Sequence, residues 1–260
     1  MRIKPLVCKE AYLLATLHDM GCPYVDLKYF PHVYYLDPHL APLLYLRYRI
    51  DREGLWEHIF TKIVSGEEDE LVRELRSIEI YKWDEIKDVL SKVAMDLSSL
   101  HEKIREKFVS LSRKVFGFEK FFEEVYVVLG FYPRAEGFHG STGFTKELPA
   151  IAMFVNNQMK AEEVLDVVYH EILHMLIRLN NVPELIGNKA LEETLLDFIC
   201  PDGYLSVALG LKRTVKTSPK HYHEFKELYD KLEPKIREYF ENKWFEKLDI
   251  LEYLKPSLLG

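Results

Sequence analysis

The sequence predicts an α+β fold, in which helical segments precede and follow a short group of strands. Residues 83–115 carry apolar side chains at spacings of three and four, which is the pattern of a long amphipathic helix. Residues 124–131 and 149–155 are instead short runs rich in β-branched and aromatic residues, as expected of buried strands. The order of helices, strands and then helices indicates an α+β protein.

The N-terminal region is predicted to be helical. Residues 7–20 have helical character, and Gly21 and Pro23 end that segment. Residues 22–50 are rich in tyrosine and proline. Because proline breaks a long helix, we expect short helices and turns there, packed by aromatic rings.

The C-terminal half combines a connection between strands with further helices. Residues 133–143 contain three glycines, which favours a loop or a hairpin. Apolar residues then recur at helical spacing over residues 161–179 and 189–199, and Pro201 ends the second of these helices. Residues 219–247 are charged and are also expected to be helical.

Composition excludes several classes of protein. With 48% hydrophobic residues and a net charge of −7, the chain of 260 residues can form a core, and it contains no basic block that would favour a nucleic-acid partner. No apolar run is long enough for a membrane span, and Lys9 and Glu10 interrupt any signal peptide. The three cysteines form no C-x-x-C pair, which predicts a cytoplasmic location. A single glutamine among abundant glutamate and lysine is typical of thermophile proteins.

Residues 169–176 read YHEILHML and contain the motif H-E-x-x-H, formed by His170, Glu171 and His174. Positions i and i+4 of a helix share one face, so both imidazoles can bind one metal ion. Glu171 follows the first histidine and is placed to act as general base toward a metal-activated water. Because the surrounding helix is almost entirely apolar, its polar side chains need partners, which a metal supplies. A hydrogen-bonded pair of core histidines is the alternative interpretation.

A catalytic zinc ion normally takes three protein ligands and keeps one position open. The metzincin extension with a third histidine is absent, since Ile177 and Asn180 occupy its glycine and histidine positions. The segment NKALEETLLDF offers Glu192, Glu193 and Asp197 instead. Glu193 and Asp197 share a helix face, whereas we expect Glu192 to be an exposed surface residue.

Eighteen residues separate His174 from Glu193, a spacing that resembles the signature of the glutamate zincins, or gluzincins. Glu193 with Asp197 resembles the third-ligand helix of thermolysin-type enzymes. The resemblance covers about residues 150–200. It implies a zinc-dependent peptidase with a zincin-like fold, in which His170, His174 and Glu193 bind Zn²⁺ and Asp197 orients the ring of His170. It also implies that strand 149–157 lies at a sheet edge and pairs with the backbone of a peptide substrate.

The residue that stabilises the oxyanion is left open by the sequence. Tyr204, His221, Tyr222 and His223 are the candidates for contact with the substrate, and a solvated helix start is the alternative for them. The exopeptidase segment G-x-M-E-N of zinc aminopeptidases is absent. His139, in a glycine-rich loop, is expected to be an ordinary loop histidine.

These observations predict three segments along the chain. Residues 1–117 form a helical region, residues 118–215 form the zincin-like catalytic domain with a small mixed sheet and an active-site helix, and residues 216–260 add helices that pack on it. The expected function is hydrolysis of peptide bonds in a peptide or protein, with Zn²⁺ as cofactor and Glu171 as general base. A non-catalytic metal-binding scaffold and hydrolysis of a non-peptide amide are the alternatives.

Overall fold

The computed structural model describes residues 1–20, 52–80, 82–131, 140–144, 148–215 and 221–259. Within these ranges the chain is α+β, which confirms the predicted class. The helices are α1 (Lys9–Met20), α2 (Arg52–Ser65), α3 (Glu70–Ser77), α4 (Trp83–Phe116), α5 (Ala161–Leu179), α6 (Lys189–Ile199), α7 (Tyr204–Leu209), α8 (Lys226–Glu241) and α9 (Ile250–Leu259). The strands are β1 (Arg2–Leu6), β2 (Glu124–Phe131), β3 (Gly140–Phe144) and β4 (Pro149–Val155).

The strands form one mixed sheet in the order β1-β2-β4-β3. β2 and β4 are parallel, whereas β3 runs antiparallel to β4. Gly130 of β2 lies opposite Phe154 of β4, and a Cβ atom at Gly130 would come within 2.5 Å of the Phe154 ring. The absence of a side chain at Gly130 therefore lets the aromatic ring pack across the sheet.

Most predicted elements are confirmed, and one expectation about the sheet is wrong. β2, β4, α4, α5 and α6 lie where the hydrophobic patterns place them. β4 was expected at a sheet edge, but it lies between β2 and β3, so both of its sides are paired. Residues 133–143 were expected to form a loop or a hairpin; of these, residues 140–143 are described, and they belong to β3, which pairs antiparallel with β4. The tyrosine- and proline-rich residues 22–50 lie outside the described residues.

The chain divides into two compact units, each assembled from separate stretches. One unit comprises residues 3–98 and 125–161 and contains the sheet. Its core includes Phe60, whose ring meets that of Tyr126 edge-on with centroids 5.4 Å apart. The predicted division at residues 117 and 215 stays a prediction.

The other unit comprises residues 1–2, 99–124 and 162–260 and contains the H-E-x-x-H motif. In its core Phe108 of α4 stacks on Tyr169 of α5, with ring centroids 3.9 Å apart. Tyr169 directly precedes the first histidine of the motif. The packing of α4 against α5 therefore supports the helix at the position where the motif begins.

Within the described residues, no helix is both long enough and apolar enough to span a membrane.

Candidate metal centre

The buried helix α5 carries the two histidines of the motif on one polar stripe. Every residue from Val164 to Ile177 is buried, and most of them are apolar. Polar residues recur at every fourth position, which places them on a single face of the helix. This stripe consists of Asp166, His170, His174 and Arg178.

The imidazoles of His170 and His174 converge. Their Nε2 atoms lie 3.1 Å apart. Nδ1 of His170 contacts the carbonyl oxygen of Cys200, and Nδ1 of His174 lies 2.6 Å from a carboxylate oxygen of Glu192. Because carbonyl and carboxylate oxygens accept hydrogen bonds, each Nδ1 carries a proton. In the neutral form of both rings the two Nε2 lone pairs face each other, an arrangement that calls for a shared cation or proton.

Helix α6 supplies the third group. It begins at Asn188, whose side chain caps the helix by accepting a hydrogen bond from the backbone N–H of Leu191. Oε2 of Glu193, in the second turn, lies 3.4 Å from Nε2 of His174 and 3.9 Å from Nε2 of His170. The structure thus brings together the three metal ligands that the gluzincin resemblance implies.

The separations of these donor atoms suit a zinc ion. Zinc bonds to nitrogen and oxygen are about 2.0–2.1 Å long, so two ligand atoms of a tetrahedral site lie about 3.3–3.4 Å apart. The observed separations are 3.1, 3.4 and 3.9 Å. Two imidazole nitrogens and one carboxylate are also a donor set of catalytic zinc sites. The residues present therefore fit zinc in both chemistry and spacing.

The electrostatics of the cluster favour two ligands in their binding form. Burial and the neighbouring His174 lower the pKa of His170 to about 4, so this ring is neutral at pH 7. Burial tends to raise the pKa of Glu193, but the hydrogen bond to His174 and the electrostatic interactions with the surrounding histidines together lower it to about 2. Burial also disfavours charge on His174, but its bonds to Glu192 and Glu193 raise its pKa to about 9. A metal ion would therefore displace a proton from His174.

The burial of Glu192 differs from its predicted exposure. It was expected to be an exposed surface residue, but it is only 6% exposed and accepts the hydrogen bond from Nδ1 of His174. Nη1 of Arg178 lies 3.5 Å from the same carboxylate oxygen and donates to the carbonyl of His174. Glu192 and Arg178 therefore hold the His174 ring from the side opposite its Nε2 atom.

Asp197 also differs from its predicted role. It was expected to orient His170, but the Nδ1–H of His170 is taken by the Cys200 carbonyl. Oδ2 of Asp197 accepts hydrogen bonds from the backbone N–H of His221, from Nδ1 of His221 at 3.0 Å and from the hydroxyl of Tyr229. Asp197 is buried and orients a histidine, but that histidine is His221.

Of the four residues proposed to contact the substrate, His221 lies beside a candidate ligand. Its Nδ1 is 3.8 Å from Oε2 of Glu193. The other three have different partners: Tyr204 stacks on Phe240, Tyr222 donates to Asp230, and the ring of His223 meets that of Tyr222. His139 lies outside the described residues.

Glu171, the proposed general base, is 8% exposed. Its negative charge contributes to the raised pKa of His174, which places its carboxylate within electrostatic reach of that ring. A buried carboxylate beside a candidate metal-binding histidine is suitably placed to exchange a proton with a water molecule at the site.

Two residues of the site, Cys200 and Asp166, were missed by sequence reasoning, and a third, Glu192, was considered but assigned to the exposed surface. Cys200 acts through its main-chain carbonyl, for which a sequence holds no side-chain signal. Glu192 adjoins Glu193, and the motif spacing alone favoured only one of them. Asp166 did carry a signal, because a carboxylate four residues before His170 on an apolar helix must be buried on the same face.

Comparisons with protein-family models, with curated proteins and with solved structures each find no match to this chain. The likeness to the gluzincins therefore remains one of motif and spacing.

Proposed function

We propose that the protein is a zinc-dependent hydrolase that cleaves peptide bonds, with a zincin-like arrangement around its metal centre. The observation that carries the proposal is the convergence of Nε2 of His170, Nε2 of His174 and Oε2 of Glu193, with separations of 3.1 to 3.9 Å. The cysteine pattern supports a cytoplasmic location as part of the same proposal.

The residues have distinct roles in this proposal. His170, His174 and Glu193 hold the ion, which when bound polarises a substrate carbonyl and lowers the pKa of a water molecule at the site. Glu171 accepts the proton of the attacking water and passes it to the leaving amine. His221, whose Nδ1–H is held by Asp197, donates a hydrogen bond from a protonated Nε2 to the substrate oxygen that becomes negative. A purely structural metal site would need neither Glu171 nor His221.

The test combines metal analysis with digestion of a broad peptide library by the full-length chain. We expect about one zinc ion per chain and cleavage that a chelator abolishes and added zinc restores. Glu171→Gln should keep the zinc but lose at least about 100-fold in kcat, because the amide cannot accept the proton. Glu162→Gln, an exposed change at the start of α5, is the matched control and should retain wild-type activity.

Two results would contradict this function. Zinc binding without cleavage of any peptide would favour the non-catalytic scaffold. Equal activity of Glu171→Gln and the wild type would remove Glu171 from the mechanism.

A further inference from the structure

Asp166 is a buried carboxylate for which the proposed mechanism has no use. It lies one turn before His170 on α5, and its residue is fully buried. Oδ1 accepts hydrogen bonds from the hydroxyl of Ser206 at 2.5 Å and from the thiol of Cys200 at 3.0 Å. Oδ2 accepts one from the backbone N–H of Asp202 at 2.8 Å. A buried carboxylate that accepts three hydrogen bonds has its hydrogen-bonding capacity satisfied by its surroundings.

All three donors belong to residues 200–206, which comprise the turn that joins α6 to α7 and the first residues of α7. The turn is tight, because a Cβ atom at Gly203 would lie 2.3 Å from the carbonyl oxygen of Phe198. The backbone N–H of Gly203 also donates to the hydroxyl of Ser206. Asp166 therefore fixes the end of α6 to α5 at a point one turn away from the metal ligands.

The same turn carries the carbonyl that holds His170. Cys200 is the C-cap residue of α6, and its carbonyl accepts the Nδ1–H of His170. Carbonyls at the C-terminus of a helix lack intrahelical partners and carry partial negative charge, so they are good acceptors for an imidazole N–H. The position of this carbonyl decides which nitrogen of His170 keeps its lone pair for a metal ion.

We propose that Asp166 is a positioning residue of the metal centre. By anchoring the turn of residues 200–206, it places the Cys200 carbonyl on Nδ1 of His170 and leaves Nε2 of His170 directed at Nε2 of His174. The inference rests on the metal site of the proposed function and is independent of the peptidase activity. His170 is thus oriented through the main chain, whereas a carboxylate contacts His174 directly.

The first test measures the tautomer of His170 in the metal-free, full-length protein. Nuclear magnetic resonance of protein labelled with ¹⁵N in its histidines distinguishes protonated from unprotonated ring nitrogens, and His170→Gln assigns the signals. We expect the proton of His170 on Nδ1 in the wild type. Asp166→Ala, which removes both carboxylate oxygens that accept hydrogen bonds from residues 200–206, should mix the two tautomers, and Asp166→Asn should change them less because it keeps an acceptor for Asp202.

The second test measures zinc affinity by competition with a chelator. Asp166→Ala should weaken binding by about 10-fold or more, the range seen when a ligating histidine loses its partner. Asp249→Ala is the matched control, since Asp249 caps α9 by accepting from the N–H groups of Leu251 and Glu252. It should lower thermal stability but leave zinc affinity within about twofold of the wild type.

Three outcomes would overturn the proposal. The first is a wild-type tautomer with the proton of His170 on Nε2, which needs no variant. The second is zinc affinity in Asp166→Ala that falls no more than in the Asp249→Ala control. If Asp166→Ala does not fold, Ser206→Ala takes its place. The third outcome is then a zinc affinity and a His170 tautomer in Ser206→Ala that are unchanged from the wild type. Zinc binding without peptidase activity would contradict only the proposed function, whereas a wild type that binds no zinc would contradict both.

Discussion

Glu192 and His174 form a buried pair in which the carboxylate accepts the Nδ1–H of the imidazole at 2.6 Å. The neighbouring residue in the chain, Glu193, approaches Nε2 of the same ring at 3.4 Å. Two successive glutamates of α6 therefore contact opposite nitrogens of one histidine. Adjacent helical residues point about 100° apart, which allows one ring to lie between them.

The Glu192–His174 pair predicts that Glu192 supports metal binding. Glu192→Ala should weaken zinc affinity by about 10- to 100-fold, because His174 then loses the acceptor that fixes its tautomer and ring orientation. Chelator competition measures the effect, and Glu184→Ala, an exposed change before α6, is the control. Wild-type affinity in Glu192→Ala would mean that the carboxylate has no part in holding the ring.

The sequence was sufficient to predict the elements with strong periodicity. α4, α5 and α6 have apolar residues at helical spacing, and β2 and β4 are uninterrupted apolar runs. β1 was not predicted, because RIKPL mixes charges and a proline into five residues. β3 reads GSTGF, whose small residues give little strand signal, and the gluzincin resemblance implied an edge position for β4. Its position in the sheet depends on this pairing, which a local pattern does not encode.

At the candidate site the sequence predicted side chains better than their partners. His170, His174 and Glu193 follow from a motif and a spacing, which helical geometry converts into proximity. The partner of His170 did not follow, because a main-chain carbonyl at the end of α6 replaces the expected Asp197. Asp197 instead accepts a hydrogen bond from His221, which lies 24 residues further along the chain. Such contacts are set by the packing of α6 against later residues, for which the sequence shows no periodic signal.

The three candidate ligands give the most direct prediction. His170→Ala, His174→Ala and Glu193→Ala should each abolish tight zinc binding, because each removes one of the three donor atoms that converge at the site. Metal analysis after dialysis provides the measurement. His223→Ala is the control, since this histidine is exposed. Full retention of zinc by any of the three ligand variants would remove that residue from the site.

The pair of Asp197 and His221 should affect turnover more than metal binding. Asp197 holds His221 beside Glu193 but does not bond to either histidine of the motif in the described structure. We expect His221→Ala and Asp197→Ala each to lower kcat by about 10-fold or more with zinc retained. The double variant should be little worse than either single variant, because the two side chains act as a unit.

Tyr229→Phe serves as the control for that pair. It removes the third donor to Oδ2 of Asp197 without touching His221. It should keep most of the activity. Loss of zinc in His221→Ala, or additive losses of kcat in the double variant, would contradict the assignment.

The stack of Phe108 on Tyr169 predicts that α4 is needed for a stable metal centre. Phe108 is fully buried, and its ring lies nearly parallel to that of Tyr169, at an interplanar angle of 11°. Phe108→Ala should lower the free energy of unfolding by about 3–5 kcal/mol, the usual cost of truncating a buried phenylalanine. Phe108→Leu keeps most of the apolar volume and should cost much less. Denaturant unfolding, followed together with zinc release, measures both effects.

Met95→Ala is the surface control for this prediction, because Met95 lies on the same helix and is 67% exposed. It should change the unfolding free energy by less than about 0.5 kcal/mol. A chain that begins at residue 118 lacks Phe108 and the rest of residues 99–117, which belong to the compact unit that contains the motif. We therefore expect that chain to bind zinc weakly or to remain unfolded. Tight zinc binding by it would show instead that residues 118–260 suffice to form the metal centre.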